Sequence, residues 1–161
     1  MILWFAGMSV ALVWLVFRSP ALDYRLVALG AVLPVGEVVL GGARVLHTLV
    51  ASVALLGLVM LATRHRRLLR RRLIGLPIGL LMHLVLDGIW TTSAVFWWPF
   101  LGWSFQGTPV PELDRPLAAV VLLEVLGAGA IVWCYRTFGF DDPERRRQFV
   151  RTGHLPRDLV P

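Results

Sequence analysis

The chain has no lysine, a single cysteine and little charge of either sign. Cys134 alone cannot close an internal disulfide, and no CxxC pair is present, which sets aside redox and zinc-thiolate chemistry. Soluble domains carry about 25% charged residues. Here 16% of 161 residues are charged, 57% are apolar and the mean hydropathy is +0.72, which excludes an ordinary water-soluble globule. All 16 cations are arginine, a coding bias that leaves the logic of charge unchanged. The net charge of +6 does not indicate nucleic acid, because the arginines form short clusters between apolar runs. Membrane proteins place charge in this way on their cytoplasmic side. A basic leader is also missing before the first apolar run, and Arg18 follows that run. The run therefore reads as a retained helix rather than a signal peptide.

Five apolar stretches are present, at residues 2–17, 26–40, 45–62, 73–90 and 117–135. A helix needs about 20 residues to cross a bilayer core, with a range of about 17–25. The third, fourth and fifth stretches fit this length. The first two are short, and Pro34, Gly36 and Glu37 predict a kink or break in the second. Six arginines lie between the third and fourth stretches, from Arg64 to Arg72, and six more follow Tyr135. Residues 91–116 hold only Arg115, beside Glu112 and Asp114. The positive-inside rule then predicts an all-α integral membrane bundle of about five transmembrane helices, with the N-terminus out and the C-terminus in. Residues 1–135 form the transmembrane domain and 136–161 a basic cytoplasmic tail. The predicted location is a bacterial inner membrane, crossed several times.

Ionisable side chains within spans are costly, about 2.5–3.5 kcal/mol for Asp at a helix centre, so they are the first place to look for function. The candidates are Glu37, His47, His83, Asp87 and Glu124. His83 and Asp87, four residues apart, lie about 40° apart around a helix axis, so both can reach one ion. The topology brings Glu37, His47, His83 and Asp87 to a similar depth below the outer surface. Two imidazoles and two carboxylates on three helices make a ligand set for a divalent transition metal, with Zn²⁺ or Mn²⁺ favoured. An intrahelical His–Asp hydrogen bond would leave the same trace. Arg44, at the same level, can hold a phosphate or carboxylate, or pair with Glu37. Thr48 either supports His47 or bonds its own helix backbone. Glu124 is a further candidate ligand, general base or partner of Arg44. His65 and His154 lie in basic segments and read as solvated.

Residues 90–105 hold Trp90, Phe96, Trp97, Trp98, Phe100, Trp103 and Phe105. Aromatics at this density sit at headgroup level, as an interfacial anchor or as a lid. Pro99, Gly102 and Gly107 argue against a long helix there. In the tail, Arg145, Arg146 and Arg147 beside Phe149 either lie on anionic headgroups or are simply solvated.

Residues 83–100 read HLVLDGIWTTSAVFWWPF. This resembles the His-Leu-Leu-Leu-Asp, Thr-Thr and Trp-Pro-Phe signature of a bacterial inner-membrane family of membrane-bound metal-dependent hydrolases. Leu33-Pro34-Val35-Gly36-Glu37 looks like that family's Leu-Pro-Asp-x-Asp element, and His47-Thr48-Leu49-Val50 like its Thr-His-Ser-Leu-Leu element. The resemblance covers about half the chain, residues 22–103. The departures are Val35 and Glu37 where the family has two aspartates, and Ala43-Arg44 where it has His-Arg. The resemblance implies metal-dependent hydrolysis, by a divergent enzyme with Glu124 or water in the vacated ligand position, or descent from one with catalysis lost.

The expected function is a membrane-embedded metal-dependent hydrolase acting near the outer leaflet on a lipid or lipid-linked ester or phosphoester. His47, His83, Asp87 and Glu37 are its metal ligands. Glu37 or Glu124 would be the proton acceptor, and Arg44 would stabilise developing negative charge. Membrane lipid is the expected partner and nucleic acid is not. The alternatives are a non-catalytic scaffold that retains a polar His/Asp cluster, and a small transporter, against which the clustering at one depth argues.

Overall fold

The computed structural model describes residues 1–39, 45–103 and 115–159, and among these every regular element is helical. α1 (Ile2–Phe17) matches the first apolar run. α2 (Tyr24–Val39) continues through Pro34, so the predicted break is absent. A 3₁₀ turn (Val45–His47) leads into α3 (Leu49–Ala62). Thr48 caps α3: its Oγ1 accepts from the Ala51 amide at 3.1 Å and donates to the Val45 carbonyl at 2.8 Å. The arginine-rich α4 (Arg67–Leu73) runs into α5 (Gly75–Asp87) across the helical residue Ile74. Gly88, with φ +73°, stops α5. A 3₁₀ turn (Ile89–Thr91) and the short α6 (Ser93–Phe96) follow. α7 (Leu117–Thr137) and α8 (Pro143–Thr152) complete the set, with Asp142 capping α8 through the Glu144 amide at 2.8 Å.

Helix lengths modify the sequence expectation. The Thr48 cap and the Gly88 stop trim the third and fourth runs to helices of 14 and 13 residues. At about 1.5 Å per residue these are shorter than the ~30 Å apolar core of a bilayer. Among the described residues, α7 alone is long and apolar enough to cross a membrane, and α1 and α3 are shorter apolar helices.

The helices pair through glycine. α2 lies on α5 where Gly30 faces the backbone of Leu76 and Gly79 faces that of Val27, too close for a β-carbon at either position. α1 lies on α7 in the same way, through Gly7 and Gly127. Close backbone approach through small residues is how helices associate when lipid removes the hydrophobic drive. The buried core is mostly apolar, with Phe5, Tyr24, Val27 and Leu80 fully buried, but it also takes in polar groups. Ser9, Asp23, His47, Ser52 and His83 are fully buried, whereas Val16, Leu61, Leu117 and Val125 face outward.

The bundle has two chemically distinct ends. At one, Trp14, Tyr24, Phe138 and Leu155 share a core, and the segment after α7 folds back on the α1–α2 connection. The Tyr24 amide donates to the Gly153 carbonyl at 3.0 Å, and the Leu155 amide to the Pro20 carbonyl at 3.1 Å. Asp23 is buried there and pairs with Arg25 at 2.9 Å and Arg72 at 3.3 Å. The other end holds the C-terminal ends of α2 and α5, the starts of α3 and α7, and the aromatic segment. Phe100 and Trp103 are exposed there, and Ile89 and Val95 are buried.

Candidate metal centre

His47, His83 and Asp87 are all buried, and their ligand-capable atoms lie within 4.8 Å of one another. The 3₁₀ turn before α3 supplies the first, and α5 supplies the other two one turn apart. The His47 and His83 rings meet nearly edge-on, with centroids 5.1 Å apart.

The surroundings orient both rings. His83 Nδ1 lies 2.7 Å from the carbonyl oxygen of Ala31 on α2. A carbonyl only accepts, so Nδ1 carries the hydrogen and Nε2 keeps the lone pair that ligates a metal. Phe5 lies against the same ring, centroids 4.0 Å apart, which limits its rotation. His47 turns Nδ1 towards Glu37 Oε2 at 3.6 Å. Glu37 is itself fixed by the amides of Val45 and Leu46, at 2.8 and 2.9 Å. An oxygen behind each imidazole is the usual support of metal-binding histidines. These residues thus fit a divalent transition metal: two nitrogen donors and one carboxylate, with no thiolate.

The sequence-derived candidates separate into groups. His47, His83 and Asp87 come together, and Glu37 stands behind His47. Glu124 lies at the same end but caps α1: its Oε2 accepts from the Leu3 amide at 3.0 Å, and its Oε1 is 3.3 Å from the terminal amino group. It does not join the described cluster. Arg44 lies outside the described residues. Thr48 bonds its own backbone rather than the centre. Val35, where the resembled family has an aspartate, packs with Phe5 and Ala31 in an apolar cluster.

Arg115 is the residue that sequence reasoning passed over. Its guanidinium donates to the Asp87 carbonyl oxygen at 2.6 Å and lies 3.3 Å from Asp87 Oδ1. Its signal was its position as the sole cation of an otherwise arginine-free connection on the cluster's side of the chain. The aromatic segment gives short helices, as its Pro and Gly content predicts, with Trp90, Trp97, Phe100 and Trp103 exposed.

No protein-family model, curated protein or solved structure matches this chain.

Proposed function

We propose that this protein is a membrane-embedded metal-dependent hydrolase, cleaving an ester or phosphoester of a lipid or lipid-linked molecule near the outer leaflet. The observation that carries the reading is the buried His47–His83–Asp87 group, with Nδ1 of each imidazole facing an oxygen. Its resemblance to the membrane-bound metal-dependent hydrolases of bacterial inner membranes points the same way. A multi-pass arrangement of about five spans, N-terminus out and C-terminus in, belongs to this proposal. The outward apolar face of α7, the glycine-mediated helix pairs and the two unlike ends of the bundle support it.

In this reading His47, His83 and Asp87 would hold Zn²⁺ or Mn²⁺. The bound ion would polarise the scissile group and lower the pKa of water. Glu37 orients His47 from behind its ring, and the attacking water gives up a proton. The water oxygen bonds to phosphorus or the acyl carbon, the ester C–O or P–O bond breaks, and the proton passes to the departing oxygen. Arg115 sets positive charge beside Asp87, where it can meet an anionic headgroup; Arg44 is the second arginine in that role. The exposed aromatics of residues 90–103 keep this end at headgroup depth.

The experiment is hydrolysis by the purified protein in vesicles carrying fluorogenic lipid phosphoesters and esters, with added Zn²⁺ or Mn²⁺. The proposal expects turnover that chelator abolishes and that Asp87→Asn lacks. Metal-independent turnover, or equal turnover by Asp87→Asn, contradicts it.

The Arg115–Asp87 and Glu37–His47 pairs favour one other reading, a non-catalytic scaffold in which the cluster only ties α2, α3, α5 and α7 together. That reading expects no metal in the purified protein.

A further inference from the structure

The arginine-rich end carries a cleft away from the His/Asp group. The cleft, of about 800 Å³, opens between α4, the α1–α2 connection and the segment after α8. Volumes of this size lie within the ~300–1,000 Å³ range of small-molecule sites. Arg71, Arg72, Arg157 and His154 line it, and among the described residues no Asp or Glu does. Leu68, 83% exposed, lines it beside Arg71 and Arg72 on α4, and Leu155 lines it beside His154.

The disposition of charge around this cleft is selective. The arginine run that the sequence singles out is largely occupied by acids. Arg145 bonds Asp158 at 2.6 Å and Arg147 bonds Glu144 at 2.9 Å. Arg72 reaches Asp23, which Arg25 also holds, so one buried carboxylate faces two guanidinium groups. Arg71 and Arg157 enter none of the ion pairs among the described residues, although both are exposed on the cleft. His154 adds a ring whose buried Nδ1 makes no hydrogen bond among the described residues.

We infer that this cleft binds the phosphate headgroup of an anionic phospholipid, with Arg71 and Arg157 on the phosphate and the Leu68 side against the glycerol and acyl carbons. Guanidinium groups suit phosphate oxygens because two parallel N–H donors match two acceptors. The leucines interleaved with the arginines favour an amphiphile over a free ion. The site lies at the opposite end of the bundle from the His/Asp group. The inference rests on the membrane reading but not on metal or hydrolysis.

The test is titration of the full chain in neutral detergent micelles with a short-chain phosphatidylglycerol, its phosphatidylcholine counterpart and inorganic phosphate, followed by tryptophan fluorescence. Phosphatidylglycerol should bind, while phosphatidylcholine and millimolar phosphate should not compete. Each arginine near an anionic surface contributes roughly a fivefold change in affinity, so Arg71→Gln/Arg157→Gln should weaken binding about thirtyfold. Arg145→Gln/Arg147→Gln should leave it within about twofold of wild type. Arg71→Gln alone, on an exposed helical face, keeps the test open if the double variant does not fold. Phosphate binding as tightly as the lipid would replace the lipid with a free anion. Equal loss in both double variants, or no loss in either, would overturn the site.

Discussion

His83 on α5 donates from Nδ1 to the carbonyl oxygen of Ala31 on α2, at 2.7 Å in a fully buried setting. This bond links two helices and also fixes the tautomer, leaving the lone pair on Nε2, the nitrogen that would ligate a metal. It lies one turn before Pro34, whose ring removes one amide from the α2 ladder and crowds the carbonyls that precede it.

His83→Asn places an amide nitrogen where Nδ1 sits and removes Nε2. It should keep the Ala31 bond, and hence the fold, while losing metal. His83→Ala loses both and leaves a buried carbonyl and a cavity beside Phe5, a loss of about 2–4 kcal/mol. Melting curves in detergent alongside metal content separate the two substitutions.

Arg115→Gln removes a positive charge 3.3 Å from an oxygen of Asp87. Like charges repel, so metal should bind more tightly, on the order of tenfold by affinity titration. Turnover of an anionic lipid should fall through kcat/KM, because the headgroup loses its cation. A variant with weaker metal binding and unchanged kcat/KM would remove Arg115 from the site.

Gly79→Ala drives a methyl group into the Val27 carbonyl, where a rigid backbone cannot yield. The α2–α5 pair must separate. The expected loss is roughly 1–3 kcal/mol or more, with reduced metal content, because His83 and Asp87 lie one and two turns further along α5. Gly57→Ala, with open space around it, serves as the control and should change neither.

Asp23 gives the account its pH dependence. Burial alone would raise its pKa, but the hydrogen bond and charge of Arg25 outweigh burial and hold the carboxyl below its usual range. A depressed folded-state pKa stabilises above the unfolded value of about 3.9, and the contribution is lost as pH falls through the folded value. Docking of the segment after α8 should therefore persist through mildly acidic pH and fail only in strong acid. Gly153, in a left-handed conformation with φ +74°, contacts Asp23 so closely that Gly153→Ala should undock the segment at neutral pH. Trypsin cleavage within residues 145–151 at neutral pH reports the substitution, and pepsin cleavage beside Phe149 or Leu155 reports the acid effect.

The sequence and the structure agree where the physics is local. α1 and α7 begin where their apolar runs begin, and the four-residue spacing of His83 and Asp87 already implied one shared helix face. His47 was placed with them by depth alone, an argument from charge distribution that needs no contacts. Hydropathy could not foresee the shortening of α3 and α5, because the Thr48 hydroxyl sets the start of α3 and the left-handed Gly88 the end of α5, neither through apolarity. The expected topology put Glu124 in the outer half of its span, but depth carries no azimuth, and the side chain turns to the α1 terminus instead. Arg115 and the Asp23–Gly153 contact join segments far apart in sequence, and no periodicity encodes such pairs.

The most direct test of the account is the metal content of the purified protein, wild type beside His83→Asn/Asp87→Asn, after incubation with Zn²⁺ or Mn²⁺ and removal of excess. The account predicts about one transition metal per wild-type chain, and none in a variant that still melts cooperatively. A wild type that holds no metal under either condition, or a folded double variant that holds as much as wild type, would contradict it.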